Sequence, residues 1–258
     1  MLTGEERERY ARQIMLPEIG EAGQQKLKDA KALVIGAGGL GSPAALYLAA
    51  AGVGTLGICD GDVVDRSNLQ RQILHGTRGL GRKKVTSASE TLSDLNPAIQ
   101  IAIHDCFAGP ENILGIIAKY DFVLDCTDSF GAKFLINDAC VLAGKAFCHA
   151  GVGQFFGQLM TWTPGTRTPC YRCVFRRLPP PQAPQGVMGA AAGVIGCLQA
   201  MEAIKYITGA GKLLAGVLLA CDALEGGFQR ITLPKAAPDC PICGETPAIT
   251  ELKRENYT

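Results

Sequence analysis

The amino-acid sequence predicts a doubly wound α/β fold in its first half and antiparallel strands in its second half. An apolar run at residues 31–35 leads directly into a glycine-rich turn, a helix-prone stretch at 43–51 and a second apolar run at 55–59. Strand-like and helix-like segments then alternate to about residue 150, which is typical of a parallel sheet with helices on its faces. Beyond this point polar and apolar residues alternate loosely among many glycines, which favours antiparallel strands.

The remaining elements follow from local patterns. Residues 4–29 are polar and helix-prone but interrupted by Pro17 and Gly20, so we expect an arm of two short helices. Helices are also predicted at 83–95, 111–118, 133–143 and 193–208, and strands at 99–104, 122–126, 217–221 and 227–233, with antiparallel strands within 151–163. Four prolines between residues 179 and 184 predict an exposed, extended loop.

Length and composition exclude several classes of protein. A chain of 258 residues, 47% hydrophobic and 19% charged, can bury a large core and is not expected to be disordered. A net charge of +1 without a long basic run argues against nucleic acid as the main partner. We expect a cytoplasmic protein, because the charged N-terminus lacks an apolar signal core and glycines or polar residues break every long apolar stretch.

A glycine-rich turn between strand and helix predicts a nucleotide site. Gly36, Gly38 and Gly41 satisfy G-x-G-x-x-G in a Rossmann-like setting, where backbone amides can approach phosphate and the helix N-terminus adds positive potential. Asp60 ends the second strand, where a carboxylate can accept hydrogen bonds from ribose hydroxyls. This pattern alone suits a nicotinamide-dependent oxidoreductase equally well, and a tight turn without any ligand is the simplest alternative.

The residues that follow Asp60 favour phosphate chemistry. Asn68, Arg71 and Gln72 come shortly after it, and Lys84 follows in a short basic segment. A dehydrogenase has no need for several cations here, whereas an enzyme that cleaves a triphosphate must stabilise negative charge on phosphate oxygens. Any one of these side chains could be a solvated surface residue, so the prediction depends on the group as a whole.

Two carboxylates, Asp125 and Asp128, lie at the end of the apolar run that begins at Phe122. Ligands gather at the carboxyl ends of strands in open α/β sheets, so Asp128 is placed to bind Mg²⁺, which prefers carboxylate and phosphate oxygens. The alternative is that Asp128 caps the helix that follows. We expect Asp125 to support the loop rather than to bind the metal.

Four of the 11 cysteines form two CxxC pairs, Cys170/Cys173 and Cys240/Cys243. Four thiolates at this spacing are typical of a closed, structural Zn²⁺ site, which here would join the end of the chain to its middle. Two redox pairs are the alternative, although neither pair begins a helix after a strand, as redox motifs usually do. The other seven cysteines lie mostly in apolar runs and are expected to be buried.

Together these residues resemble the ThiF/MoeB/HesA family, the bacterial relatives of ubiquitin-activating enzymes. The resemblance covers nearly the whole chain. It comprises residues 9–13 (RYARQ), 36–42 (GAGGLGS), Asp60, 67–72, 81–84, 125–128, both CxxC pairs, 193–196 and 199–205.

The resemblance implies one domain over residues 1–258, with a helical arm at 1–29, a nucleotide-binding half at 30–150 and a carrier- and zinc-binding half at 151–258. The implied activity is adenylylation of the C-terminal Gly-Gly carboxylate of a ubiquitin-like sulfur-carrier protein, of the ThiS or MoaD type, in thiamine or molybdopterin biosynthesis. ATP and Mg²⁺ are the implied cofactors, pyrophosphate is released, and another protein then delivers sulfur. A damaged ATP site would instead indicate a non-catalytic adaptor, but the residues expected in it are present.

The resemblance also implies roles for particular residues. The ATP ligands would be Gly39, Asp60, Asn68, Arg71 and Lys84, with Asp128 on the metal. The protein would be a homodimer, with Arg12 reaching the ATP phosphates bound by the other subunit. Arg71, Lys84, Arg12 and Asp128 are thus the predicted catalytic groups.

Two residues and one loop depart from the family pattern. Ser129 stands where many members have asparagine, and Lys133 stands where many have arginine, whose planar fork lysine cannot reproduce. Residues 178–186 contain no cysteine, whereas many relatives carry one there for thioester or acyl-disulfide chemistry. We therefore expect no covalent bond between enzyme and carrier. Cys148 beside His149 is the least implausible nucleophile, and we expect it to be packed rather than reactive.

Overall fold

The computed structural model of the chain describes residues 1–180 and 185–257. Its helices and strands are α1 (Gly4–Arg9), α2 (Ala11–Ile14), α3 (Gly20–Asp29), β1 (Lys31–Ile35), α4 (Gly41–Ala51), β2 (Thr55–Cys59), α5 (Lys84–Leu95), β3 (Gln100–His104), α6 (Ile113–Ile117), β4 (Phe122–Asp125), α7 (Phe130–Leu142), β5 (Ala146–Gly153), β6 (Phe156–Trp162), α8 (Tyr171–Val174), α9 (Gly189–Thr208), β7 (Val217–Asp222) and β8 (Gly227–Thr232). Short 3₁₀ helices occupy 66–68, 77–79 and 254–256. Residues 181–184 of the predicted proline-rich loop lie outside the described residues.

One sheet of eight strands organises the fold, in the order β3-β2-β1-β4-β5-β6-β7-β8. Strands β3, β2, β1, β4 and β5 are parallel, and β5 to β8 pair antiparallel. The predicted fold class is thus confirmed. Ile35 of β1 pairs with Cys59 of β2 and with Asp125 of β4, so the turns that follow these three strands meet at one edge of the sheet.

Element boundaries differ from prediction where tertiary packing outweighs local preference. The arm has three helices instead of two, because the chain breaks at Tyr10, which ends α1 and precedes α2. The ring of Tyr10 is buried beside Gly52, where an added Cβ would lie 2.5 Å from its Cζ. Helix α9 begins at Gly189, four residues before the predicted start, and Gly189 itself packs closely against the backbone of Gln70.

Helix α9 has the length and composition of a membrane-spanning helix. In this fold it packs against α3, α4, β4, β5 and β6. It also buries Gln199, whose amide donates hydrogen bonds to the carbonyls of Asp125 and Cys148, and Glu202, which accepts from Thr161 and the Leu214 amide. These contacts account for its small, apolar side chains and place it directly behind the edge where the parallel strands end.

Candidate functional site

The glycines of the turn after β1 serve two different purposes. Gly36 has φ of +97°, and a Cβ on it would lie 2.7 Å from the Cys126 carbonyl oxygen. A Cβ on Gly41 would lie 1.8 Å from the carbonyl oxygen of Gly36. Gly41 is therefore required by contacts within the turn, and Gly36 by its positive φ and by the packing of the turn against the loop after β4. Gly38 is different: only the Gln72 amide nitrogen comes within 4 Å of the position of its missing Cβ, at 3.7 Å. Its surroundings leave room for a ligand to approach the backbone.

Ala37, in the middle of the turn, forms hydrogen bonds through both its backbone N–H and its carbonyl oxygen. Its N–H donates to Asp60 Oδ2 at 2.8 Å, and its carbonyl oxygen lies 2.9 Å from Nε2 of His75. His75 Nδ1 lies 3.1 Å from the Ser87 hydroxyl. Burial lowers the pKa of His75, which favours a neutral ring that donates through Nε2 and accepts through Nδ1. Sequence reasoning did not find His75, because an isolated histidine in a polar segment carries no pattern.

Asp60 and Lys84, both predicted site residues, lie next to each other. Their side chains are nearly buried, with the Lys84 ammonium 3.8 Å from Asp60 and 3.0 Å from Asp62. Asp60 also accepts a hydrogen bond from the Asp62 amide at 2.8 Å. The carboxylate that was predicted to bind ribose thus also fixes the turn, and it neutralises a cation that would be costly to bury alone.

The segment with Asn68, Arg71 and Gln72 lies against the open side of the turn. The Asn68 carbonyl accepts hydrogen bonds from the amides of Arg71 and Gln72 at 3.0 and 2.9 Å, which fixes this short helical turn. The Cγ of Arg71 is 3.3 Å from where a Cβ on Gly39 would be. Its guanidinium donates to the Ser67 carbonyl and meets no carboxylate among residues 1–180 and 185–257. Arg71 therefore presents a half-buried, uncompensated positive charge beside the glycines.

Two buried polar atoms at the turn lack a hydrogen-bond partner in the described part of the chain, Ser42 Oγ and Gln72 Oε1. Such atoms are rare in folded proteins and often mark a position that a ligand or water satisfies. Ser42 belongs to the first turn of α4, and Ala192, in the first turn of α9, lies 3.4 Å from the position of a Cβ on Gly39. Two helix N-termini with their positive potential thus meet here, and the residues present fit a polyphosphate such as that of ATP.

The two carboxylates at the end of β4, Asp125 and Asp128, have different surroundings. Asp125 is buried, and its Oδ1 accepts from both the amide and the hydroxyl of Thr127, at 3.1 and 2.7 Å. Asp128 is exposed and has no hydrogen bond or ion pair with any residue that the structure describes. The alternative that Asp128 caps α7 is wrong: Ser129 occupies the N-cap position and accepts a hydrogen bond from the Ala132 amide. The Asp128 carboxylate is therefore free to bind a cation.

A buried polar group lies behind this loop. The Lys133 ammonium donates to the carbonyls of Thr127 and Ala150 at 2.7 and 2.6 Å and lies 3.6 Å from Asp125 Oδ1. His149 Nδ1 lies 2.8 Å from Asp125 Oδ2. Burial, opposed by Lys133 and His149, leaves the pKa of Asp125 lowered to about 2, so it is ionised at neutral pH. Lys133 thus links the loop after β4 to β5 by holding one carbonyl of each.

Cys148 and His149 do not form a catalytic pair. They are neighbours on β5, and successive side chains of a strand point to opposite faces. The sulfur of Cys148 lies 3.8 Å from the main-chain oxygen of His149, whereas the His149 ring faces Asp125. Complete burial raises the pKa of the Cys148 thiol, which opposes thiolate formation.

The four cysteines of the CxxC pairs meet although 70 residues separate the pairs. Their sulfurs all lie within 4.8 Å of one another, and four of the six separations are 3.4 to 3.9 Å. A tetrahedral Zn²⁺ with bonds of about 2.3 Å would separate its sulfurs by roughly 3.8 Å. The Ala237 amide also donates to the Cys173 sulfur at 3.4 Å. The donor set and its spacing therefore fit a closed Zn²⁺ site, and the separation of paired sulfurs does not correspond to disulfides.

Arg12 is the predicted site residue that the fold does not bring to the others. It lies exposed on α2, which packs against α1 and α3, and it forms no hydrogen bond or ion pair within the described ranges. Its neighbours are anchored: Tyr10 accepts a hydrogen bond from Asn96, and Gln13 donates to Gln24 and to the Ala51 carbonyl. The arm thus holds Arg12 outward on a fixed helix.

Comparison with known proteins agrees with this architecture. A model of the ThiF family matches residues 10–242. The chain is 48% identical over 257 residues to adenylyltransferase and sulfurtransferase MOCS3 from Bos taurus, covering 98% of this chain and 56% of that protein. It is 46% identical over 248 residues to MOCS3-2 from Zea mays, covering 94% of this chain and 51% of that protein. The chain thus spans about half the length of the curated relatives it matches.

Solved structures share the fold at low sequence identity. E. coli MccB in complex with MccA-N7isoASN superposes with a TM-score of 0.81 at 22% identity, covering 93% of this chain and 75% of that one. Selenomethionine PaaA superposes with a TM-score of 0.79 at 23% identity, covering 90% and 75%.

The sheet, the glycine turn with its adjoining cations and the four-cysteine cluster define a Rossmann-like α/β protein with a cluster of four cysteines that fits a metal ion. Within this class, the family match over most of the chain is decisive. The protein belongs to the ThiF family.

Proposed function

We propose that this protein uses ATP and Mg²⁺ to adenylylate the C-terminal carboxylate of a ubiquitin-like sulfur-carrier protein. The observation that carries the proposal is the anion-binding edge of the sheet, where an open glycine turn and two unpaired buried polar atoms lie beside Arg71. The MOCS3 relatives are named adenylyltransferase and sulfurtransferase, and this chain matches about half of their length. Their name supports an adenylyl transfer by this chain.

The reaction makes modest demands on the protein. A carboxylate oxygen of the carrier attacks the α-phosphorus of ATP, the bond from this phosphorus to the bridging oxygen breaks, and pyrophosphate leaves with the electron pair. No side-chain base is required, because the attacking carboxylate is already ionised at neutral pH. The protein must align the two reactants and stabilise charge that develops on phosphate oxygens. Arg71, the Lys84 ammonium and the amides of the glycine turn supply this stabilisation.

Asp128 is the residue that would hold Mg²⁺, which neutralises phosphate charge when bound. Its carboxylate is exposed and unpaired at the carboxyl edge of the sheet, in the part of the chain that the structure describes. A Zn²⁺ ion would have a structural role and take no part in the reaction. Its ligands would be Cys170, Cys173, Cys240 and Cys243.

We further propose a homodimer in which Arg12 of one subunit reaches the ATP phosphates bound by the other. The anchored but outward Arg12 supports this arrangement, since it has no partner in the described part of its own chain. Large apolar side chains are also exposed on α4 and α9, which pack together: Tyr47 is 59% exposed and Met201 is 52% exposed. A second subunit would cover such side chains.

Mixing two inactive variants tests the contribution of Arg12 in trans. A heterodimer of Arg12→Ala and Arg71→Ala subunits would contain one site with both arginines and one with neither. Random reassociation should then restore about a quarter of the wild-type sites, since half of the dimers are mixed. No recovery on mixing, with dimer formation shown by native mass spectrometry, would refute action in trans.

Pyrophosphate exchange tests the adenylylation itself. Carriers of the ThiS and MoaD types, each ending in Gly-Gly, would be supplied separately to identify a thiamine or molybdopterin role in the cytoplasm. We expect carrier-dependent exchange of labelled pyrophosphate into ATP, which is lost in Arg71→Ala and Asp128→Ala but kept in the exposed control Arg78→Ala. Losing one transition-state cation costs about 3 kcal/mol, or roughly a hundredfold in rate. Normal exchange in both site variants would contradict the assignment.

Two other functions predict different results. A nicotinamide-dependent oxidoreductase would bind NADH and show no carrier-dependent exchange. A non-catalytic adaptor would bind the carrier without consuming ATP. The uncompensated Arg71 and the free Asp128 carboxylate favour adenylylation over both, because neither alternative requires them.

A further inference from the structure

A buried group of three charged or ionisable side chains lies directly behind the loop that carries Asp128. Asp125 is at its centre, with Lys133 on one side and His149 on the other. All three are at most 6% exposed, and none contacts the glycine turn through a hydrogen bond. The phosphate chemistry proposed above does not use them, so their placement requires a separate explanation.

The hydrogen bonds of Asp125 determine the course of the loop. Its Oδ1 accepts from the Thr127 amide and hydroxyl, which forms a tight turn immediately before Asp128. Its Oδ2 accepts from His149 Nδ1 at 2.8 Å. With both oxygens engaged, the carboxylate cannot rotate without losing a hydrogen bond, and the Lys133 ammonium holds the Thr127 carbonyl from the other side at 2.7 Å.

His149 is in turn fixed from behind. Its ring centroid lies 4.2 Å from that of Tyr171 and 6.2 Å from that of Phe175. Tyr171 directly follows Cys170 of the cysteine cluster, and its amide donates to Asn137 at 2.8 Å. A continuous series of contacts thus runs from the cysteine cluster through Tyr171 and His149 to Asp125.

The protonation state of His149 agrees with a role as a hydrogen-bond donor. Asp125 and Lys133 already balance each other in charge, so a protonated ring would leave an excess buried positive charge. Burial and the nearby Lys133 lower the pKa of His149 to about 4. The neutral ring, with its proton on Nδ1, donates this hydrogen to Asp125 at physiological pH.

We infer that His149 is a positioning residue: by donating Nδ1–H to Asp125 it fixes the loop of residues 125–128 and so the direction of the Asp128 carboxylate. The inference rests on the proposed binding of a divalent cation by Asp128. It predicts that loss of this one hydrogen bond weakens metal-dependent nucleotide binding, although His149 itself contacts neither the metal nor the nucleotide.

Two substitutions separate donation from packing. His149→Asn retains an N–H donor near the position of Nδ1, whereas His149→Phe retains an aromatic ring against Tyr171 but has no donor. Binding of a non-hydrolysable ATP analogue would be measured with Mn²⁺ and without metal, with Mn²⁺ followed by electron paramagnetic resonance. Hydrogen exchange at residues 126–129 and zinc content would be measured on the same samples.

We expect His149→Phe to weaken Mn²⁺-dependent binding by about tenfold to a hundredfold, the usual cost of removing a group that orients a metal-binding carboxylate. Metal-free binding and zinc content should not change, exchange at 126–129 should become faster, and His149→Asn should resemble wild type. Wild-type Mn²⁺-dependent binding in His149→Phe, with zinc retained, would overturn the inference.

Two further variants keep the test decisive. If His149→Phe does not fold, Thr127→Val removes a different donor to the same carboxylate and should weaken Mn²⁺-dependent binding in the same way; unchanged binding in Thr127→Val would then overturn the inference. Asp128→Ala tests the proposal on which this inference rests, that Asp128 binds the divalent cation. If Asp128→Ala binds Mn²⁺ and nucleotide normally, the metal role of Asp128 fails, whereas a defect in Asp128→Ala alone rejects only the role of His149.

Discussion

Replacing His149 should change how the stability of the protein depends on pH. The ring is buried and neutral in the fold, with a pKa lowered from 6.5 to about 4, mainly by burial. After unfolding it regains its ordinary pKa. Between these two values the unfolded chain therefore binds a proton that the folded chain does not, and the free energy of unfolding falls as the pH falls from 6.5 towards 4.

The size of this effect follows from the two pKa values. Each pKa unit corresponds to about 1.36 kcal/mol, so the full interval is worth roughly 3 kcal/mol, of which about 2 kcal/mol is lost on going from pH 7 to pH 5. Asp125 does not contribute in this range. Its folded pKa of about 2 lies below its ordinary 3.8, so its stabilisation is present above pH 3.8 and is lost only as the pH falls from 3.8 through 2.

Urea unfolding of wild type and His149→Asn at pH 7 and pH 5 would measure the contribution of His149 to the pH dependence of the free energy of unfolding. Burial also lowers the pKa of His75, and acid promotes zinc release from thiolates, so wild type alone would show a larger loss of stability. Both of these effects are common to the two proteins and cancel in the difference. We expect His149→Asn to lose about 2 kcal/mol less than wild type. Equal losses would show that His149 is not held neutral by burial.

Further predictions concern the metal site, the glycine turn and the cysteines. Purified protein should contain about one zinc per chain; Cys173→Ser should lose both metal and thermal stability, and a zinc-free wild type prepared without chelator would refute the site. Gly41→Ala should fold poorly or lose ATP binding, since its Cβ would meet the Gly36 carbonyl at 1.8 Å. Gly226→Ala serves as the backbone control, because a Cβ there meets no atom within 4 Å although φ is +73°. Wild-type ATP binding in Gly41→Ala would contradict the geometry. Incubation with carrier, ATP and a sulfur donor should give no covalent enzyme–carrier adduct in intact-mass analysis. An adduct that disappears with dithiothreitol would contradict this, and its loss in Cys148→Ala would identify the residue responsible.

Much of the fold could be predicted because its signals are local. The apolar runs of β1, β2 and β4 are bounded by glycine or aspartate, and their spacing leaves room for the crossover helices that parallel strands require. Gly41 was informative for the same reason, because a Cβ on it would meet the carbonyl oxygen of Gly36 within the same turn. The two CxxC pairs likewise have a spacing specific enough to predict their meeting across 70 residues.

What the sequence did not reveal depends on contacts between distant segments. His75 and His149 are single histidines whose partners, Ala37 and Asp125, lie 38 and 24 residues away. The early start of α9 is likewise set by packing against Gln70. The sequence left open whether Asp128 binds a metal or caps the helix that follows, because aspartate is a good cap. Only the geometry showed that Ser129 caps the helix and leaves Asp128 free.

The most direct test of carboxylate activation is to detect the product on the carrier. Enzyme, ATP, Mg²⁺ and a Gly-Gly carrier would be mixed and quenched in acid, and the carrier would be analysed by intact-mass spectrometry beside a carrier whose C-terminus is amidated. We predict the mass of one added adenylyl group on the free-carboxylate carrier, with stoichiometric pyrophosphate, and none on the amidated carrier or with the Arg71→Ala enzyme. Adenylylation of the amidated carrier, or pyrophosphate release that does not depend on a free carboxylate, would contradict the proposed reaction.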